Sequence, residues 1–272
     1  MKTFLFWNIN NKPLDASIKN LVELHNVDVL MLAESCINPA NMLYLLNPVH
    51  SAEYYFIPQN GCTRIQIFTK FPEEFFESKD EEFHYSVRHL KLPNSKDFLI
   101  AIFHFPSKRE WKDEDQDSLC NDWASVINSR EDEVGHSRTI LVGDFNMNPF
   151  QNGMINATGF HGMISRRMVE EEVFRTINGK KYRYFYNPMW RFFSDKTSVP
   201  PGTHFYRKAV PVHHFWNIFD QVLLRPDVLP FFKNDKLQIL VTDGEKKFLD
   251  NKGRPDSNNY SDHLPILFKL NI

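Results

Sequence analysis

Six stretches of the chain finish or begin an apolar run with residues that a hydrophobic core has no use for. "FLFWNIN" closes on Asn8 and Asn10, and "VLMLAES" carries Glu34. His104 lies in "IAIFHFPS", Asp144 and Asn146 in "GDFNMNP", and Asp220 opens "DQVLL". Asp262 and His263 precede the last run in "YSDHLPI". Each has a local explanation. Asn and Asp bond to nearby backbone in turns and tolerate unusual dihedrals. Glu34 could cap a following helix, and a lone histidine is commonly a hydrogen-bonded core residue. All six together are harder to explain locally, because an unpaired buried charge costs on the order of several kcal/mol. They are therefore expected to converge and satisfy one another. Carboxylates, amides and imidazoles gathered at one point make a site for a hard cation and a phosphate.

The elements that would position them are short. "TFLFW", "VDVLMLA", "YYFIP", "RIQIFT", "FLIAIFHF", "TILVGDF", "FDQVLL", "LQILVT" and "LPILFKL" are rich in Ile, Val and Phe and stop at polar clusters, which predicts strands. "DASIKNLVELHN" puts Ile18, Leu21, Val22 and Leu24 on one apolar face. "DEDQDSLCNDWASVINS" does the same with Leu119, Trp123, Val126 and Ile127, behind an acidic first turn that suits a helix N-terminus. Strand–helix–strand order followed by strand-rich stretches predicts an α/β fold: a four-layer sandwich of two packed mixed β-sheets flanked by helices. No repeat or Gly/Ser linker divides the chain, and "TSVPPGTHF" reads as an internal loop, so residues 1–272 are expected to form a single domain.

With 272 residues and 42% hydrophobic content, the chain has material for a large core. A formal charge of −2 argues against nonspecific coating of nucleic acid, though not against a local basic face. Cys36, Cys62 and Cys120 lack metal-type spacing and read as reduced thiols. "MKTFLFWNIN" turns polar too soon for a secretory signal, and no apolar run nears the ~20 residues that span a bilayer. The expectation is a cytoplasmic monomer with no membrane contact.

The ordered set Asn8/Asn10, Glu34, His104, Asp144/Asn146, Asp220 and Asp262/His263 resembles the endonuclease/exonuclease/phosphatase superfamily, which includes pancreatic deoxyribonuclease, exonuclease III and the inositol polyphosphate 5-phosphatases. "GDFNMNP" and "SDHLP" are its most specific pieces, and "GTHFY" ahead of "WNIFDQVLL" is similar to the family's Gly-Thr-aromatic segment. One place departs: where the gut deoxyribonuclease has a second glutamate, the similar strand "TRIQIFTK" holds Thr63 or Arg64. The resemblance implies hydrolysis of a phosphate ester by water with Mg²⁺, for which Mn²⁺ may substitute. Glu34 would be the direct ligand, with Asn10 close by and Asp262 as a second carboxylate. Asp144 would orient and deprotonate the water, while Asn8 and Asn146 would hold the scissile phosphate through amide N–H groups. Asp220 would bond the His263 imidazole, leaving His263 as either base or cation. His104 would give a proton or hydrogen bond to the phosphate or leaving group.

Between Glu172 and Asp220 the chain turns basic and aromatic, with Arg175, Lys180, Lys181, Arg183, Arg191, Lys196, Arg207 and Lys208 against Asp195 alone. Cations interleaved with rings fit a groove that tracks phosphates and stacks bases, with Arg183, Tyr186, Trp190, Arg207 and Trp216 as its candidates. The alternation in "KYRYFY" equally suits a half-buried strand. A nuclease acting on DNA or RNA is the leading expectation. The alternatives are a phosphoesterase of inositol phosphates or phospholipid head groups, and an inactive binding module with the same fold.

Overall fold

The computed structural model describes residues 1–47, 53–109, 111–194, 200–211 and 213–272. Asp195, Lys196 and the start of "TSVPPGTHF" lie outside them. The first half of the chain supplies β1 (Lys2–Asn8), α1 (Asp15–His25), β2 (Val29–Ala33), α2 (Pro39–Leu46), β3 (Tyr55–Ile57) and β4 (Ile65–Thr69). There follow β5 (Phe76–Glu82), β6 (Tyr85–Leu90), β7 (Phe98–His104), α3 (Asp113–Val134) and β8 (Thr139–Asp144). The second half adds α4 (Asn152–Ile155), β9 (Gly162–Met163), α5 (Arg166–Glu171), β10 (Phe174–Ile177), β11 (Lys180–Arg183) and β12 (Phe185–Tyr186). It ends with β13 (His204–Phe205), β14 (Trp216–Asn217), β15 (Asp220–Leu224), β16 (Gln238–Ile239) and β17 (Ile266–Leu270).

Two mixed sheets form, in the orders β16-β17-β1-β2-β4-β3 and β5-β6-β7-β8-β15-β12-β9. Two short hairpins, β10–β11 and β13–β14, stand apart from them. The strands predicted from apolar runs are present, although "LQILVT" keeps only the two-residue β16. β5 is an addition. Its "FESKDEE" carries no apolar alternation and is an edge strand in which only Phe76 is buried.

Alternation along the second sheet decides where its polar ends point. Ile100 and Ile102 of β7, Ile140 and Val142 of β8, and Val222 and Leu224 of β15 belong to the large core that includes β1 and β2. Leu99, Ala101, Phe103, Leu141 and Leu223 face the other way, into a separate cluster with Trp123 of α3. His104, Asp144 and Asp220 share parity with the first set, so they continue the rows that face the first sheet. Gly143 makes this register accessible. A Cβ there would come 2.1 Å from the Phe103 carbonyl oxygen, on backbone with φ of +154°.

Candidate active site

Register places the polar residues side by side. His104 pairs with Asp144 across the parallel β7–β8 ladder, and Asp144 with Asp220 across the antiparallel β8–β15 ladder. In the facing sheet Asn8 pairs with Ala33, one residue before Glu34. The chain then turns sharply at three of the candidate residues: Asn10, Glu34 and Asn146 have φ of +47°, +46° and +49°. Asn enters this left-handed region easily. For Glu34 it is a strained position of the kind that clusters at functional sites.

Asn8 is the hub between the sheets. Its Nδ2 donates to Glu34 Oε1 at 3.1 Å and to Asp144 Oδ2 at 2.9 Å, while its Oδ1 accepts from the Asn10 N–H at 3.0 Å. His104 Nε2 bonds the same Glu34 oxygen at 2.9 Å. That hydrogen bond, with burial opposing it, brings the Glu34 carboxyl down to about 2. Asp144 receives its own backbone turn, Asn146 N–H to Oδ1 at 2.8 Å, and Asn146 Nδ2 donates to the Phe105 carbonyl at 2.9 Å. Burial is the largest influence on Asp144 and raises its carboxyl above the ordinary range, against the pull of His263.

His263 is held by four neighbours. Its Nδ1 meets Asp220 Oδ2 at 2.8 Å, and its Nε2 lies 3.8 Å from Asp144 Oδ2. Trp7 Nε1 donates to its carbonyl at 2.8 Å, and its own N–H donates to Ser261 Oγ at 3.1 Å. Burial disfavours a charged imidazole, but Asp220 and Asp144 outweigh it and hold His263 well above the usual histidine value. Asp262 turns toward Asn10, whose Nδ2 donates to its Oδ1 at 2.9 Å, and toward His204, 3.4 Å from its Oδ2. Burial alone would raise the Asp262 carboxyl, but His204 and His263 keep it below the usual carboxylate range.

The donor set suits a hard cation. Oxygens of Glu34 and Asp144 lie with a His104 ring nitrogen within 4.8 Å of one another, and two further groups share that spacing: Asp144, Asp220 and His263, and His204, Asp262 and His263. Glu34 and Asp262 stay ionised, which ligation by carboxylate requires.

The sequence profile of the Endonuclease/Exonuclease/phosphatase family matches residues 5–263. The chain belongs to this family. Members of the family are phosphoester hydrolases and typically depend on a divalent metal. Among solved structures, D. rerio TDP2 complexed with a single-strand DNA product is 13% identical, with a TM-score of 0.55 over 100% of this chain and 99% of that one. The 3' phosphatase NExo (D146N) from Neisseria, bound to a product DNA hairpin, is 15% identical, with a TM-score of 0.55 over 99% of each chain. The human Nocturnin catalytic domain is 13% identical, with a TM-score of 0.55 over 99% of this chain and 93% of that one. No curated protein matches the sequence at a significant level. Among the described residues, no helix is long and apolar enough to cross a membrane.

Two residues expected in this family member's substrate groove lie elsewhere. Tyr186 is buried, with its hydroxyl on Asn234 Oδ1 at 3.1 Å, because Tyr184 and Tyr186 point into the core between the sheets. Arg183 ion-pairs with Glu131 at 3.0 Å, and its carbonyl accepts from Arg225, just beyond the end of β15 opposite Asp220. The alternation in "KYRYFY" is a strand alternation: Tyr184 and Tyr186 face the core, while Lys181, Tyr182 and Arg183 line a surface hollow with Arg225, at the end of β15 away from Asp220. Trp190 packs 6.2 Å from Phe150, Trp216 pairs with Phe205 next to His204, and Arg207 is exposed between β13 and β14. Asn8 also differs from expectation. Both of its amide hydrogens are engaged by carboxylates, so it aligns them and has no N–H left for a phosphate.

His204 escaped the sequence reading. It stacks on Phe219 at 5.2 Å, lies 4.6 Å from the His263 ring, and pairs with His263 through its backbone. Burial, then the nearby His263, lowers its tendency to protonate. Its only sequence signal was its place in "GTHFY", where it reads as one more ring in an aromatic strand.

Proposed function

We propose that this chain is a divalent-metal-dependent phosphodiesterase that hydrolyses nucleic acid. The observation that carries the hydrolytic reading is the Asn8-centred network, in which two carboxylates from facing sheets share one amide beside a charged His263–Asp220 pair. Nucleic acid as substrate is supported by the DNA bound in the D. rerio and Neisseria structures and by the rings beside His204, with Tyr206 at 5.4 Å from it and Trp216 edge-on to Phe205.

Glu34, with Asn10 and Asp262, would hold the cation, for which Mg²⁺ is the expected ion and Mn²⁺ a substitute. When bound, the ion neutralises a nonbridging oxygen and stabilises the leaving oxyanion. Asp144, whose carboxyl burial makes a stronger base than an ordinary carboxylate, takes a proton from the attacking water, while Asn146 fixes the carboxylate through its backbone N–H. His263 acts as a cation against the phosphate, since its pairing with Asp220 favours the charged ring over a free base. His104 orients Glu34. Asn8 sets the spacing of Glu34 and Asp144.

The test is a panel of labelled plasmid, linear duplex, single-stranded DNA, RNA and abasic duplex with Mg²⁺ or Mn²⁺, run beside inositol phosphates. Cleavage of a nucleic acid that EDTA abolishes is the expected outcome. Turnover confined to inositol phosphates would replace the substrate class, and no turnover of anything would leave a binding module.

A further inference from the structure

A cleft of about 400 Å³ opens next to the catalytic cluster and shares the Phe219 ring with it, the ring on which His204 stacks. Its size falls within the ~300–1,000 Å³ of small-ligand sites. Phe150, Tyr206 and His214 add aromatic surface, with Phe150 edge-on to His214 at 5.2 Å.

Two polar atoms of residues that line this cleft are buried and have no hydrogen-bond partner among the described residues: Gln116 Oε1 and His213 Nε2. The far side of each group fixes what it offers. Gln116 is fully buried, and its Nε2 donates to the Pro106 carbonyl at 2.9 Å, so Oε1 is the acceptor left open. His213 Nδ1 accepts the Phe215 N–H at 2.9 Å, so the ring proton is on Nε2, a donor left open. Phe215 holds a left-handed φ of +61° in this turn. Buried donors and acceptors are rarely left unmade in native proteins, and the exceptions call for an explanation.

We propose that the cleft binds one unpaired nucleobase next to the scissile phosphate, an inference that rests on the nucleic-acid reading above. A base brings flat π faces to aromatic walls and, on its Watson–Crick edge, a donor beside an acceptor. Gln116 Oε1 accepts from that edge and His213 Nε2 donates to it. A paired base has the edge occupied already, so the occupant comes from a single strand or a frayed end. Of the charged residues lining the cleft, Lys108 is paired with Asp113 at 2.6 Å and Asp117 adds a further carboxylate, so the cleft offers no net positive charge to a phosphate and the uncharged base is the part that enters. An acyl chain would satisfy neither open atom.

The experiment uses single-stranded oligonucleotides in which one abasic spacer is walked along the sequence, with the wild type and the His213→Phe and Phe150→Ala variants. Loss of the one base flanking the cleaved bond is expected to lower kcat/KM about tenfold or more, the scale of base–aromatic stacking. His213→Phe should lower it on the intact strand and not on the strand that lacks that base. Equal cleavage with the spacer at every position overturns the cleft assignment while the nuclease reading stands. If no nucleic acid is cut, that reading fails, and calorimetry with the four nucleoside 5'-monophosphates against ribose 5-phosphate judges the cleft alone. Nucleotide binding that exceeds ribose 5-phosphate binding and is lost in His213→Phe supports it; equal or absent binding overturns it.

Discussion

β15 carries a buried charged pair beside each end, and the two are finished differently. Just beyond its last residue, Arg225 bonds Glu131 at 2.7 Å, Asn128 at 2.8 Å and the carbonyls of Arg183 and Tyr184, with its guanidinium 3.8 Å over the Phe185 ring. Glu131 gives its other oxygen to Arg183. At the first residue, Asp220 bonds His263 at 2.8 Å, but its Oδ1 has no hydrogen-bond partner among the described residues, and neither do the Nδ1 atoms of His104 and His204. The Arg225–Glu131 pair has its side-chain nitrogens and oxygens bonded, whereas the Asp220–His263 pair and its histidine neighbours keep several open. Saturation is what a structural ion pair needs, since breaking it strands a buried charge. Open capacity is what a site needs, because substrate, water and metal must find partners there.

That contrast can be broken most severely at the open end. Asp144→Asn is expected to lose about 10²–10⁴ of turnover, the range for a general base, while its thermal unfolding stays cooperative. Near-full activity on a substrate that the wild type cleaves would remove Asp144 from the mechanism. EDTA should likewise abolish activity, with recovery on adding Mg²⁺ or Mn²⁺.

At the saturated end the readout is stability. Glu131→Ala strands Arg225 and should cost about 3–5 kcal/mol, seen as a lower chemical-denaturation midpoint, with kcat per folded molecule unchanged. Replacing Arg225 and Glu131 together by Met and Leu should recover much of that loss. A double variant as unstable as the single one would mean that packing, not the stranded charge, carries the effect.

A subtler test concerns pH. His263 has a raised pKa in the folded chain, so its charged form is favoured: the associated stability is present below its ordinary value of 6.5 and is lost as pH rises through the folded value. Activity that needs the cation should follow the same alkaline limb. Asp220→Asn removes the larger of the two charges that support it, so the limb should move to lower pH in a rate–pH profile. Glu34 has the opposite sign. Its contribution is present above 4.5 and fades as pH falls toward about 2. The smallest effect is expected from Arg183→Ala: the Arg183 side chain is partly exposed and the buried Glu131 keeps its bond to Arg225, so stability should shift by about 1 kcal/mol or less and cleavage stay unaltered.

How far the sequence foretold this differs between the two ends for a physical reason. Asp144, Asp220 and Glu34 were legible because each interrupts or closes an apolar run, and a strand end is a local pattern. Tyr186 is buried and Arg183 is tied to Glu131, which the sequence did not decide, because period-two alternation reveals that a strand has two faces but not which neighbour covers each one. That depends on pairing with β15 and α3, far away in the chain. His204 and Gln116 left no mark, one among aromatic neighbours and one in an acidic helical turn, since both acquire their meaning from contacts across the fold. β5 was missed because an edge strand needs only one apolar anchor.

The bond from Ser261 Oγ to the Asn8 carbonyl and the bond from Trp7 to the His263 carbonyl join segments more than 250 positions apart. Closing so large a loop is entropically late, and contacts of this separation slow folding. A nascent chain on the ribosome that has not yet delivered residues 261–263 therefore has Asn8, Glu34 and Asp144 but no imidazolium to complete them. The site is therefore completed only when the segments around Asn8 and His263 meet, after the rest of its polar residues have been made.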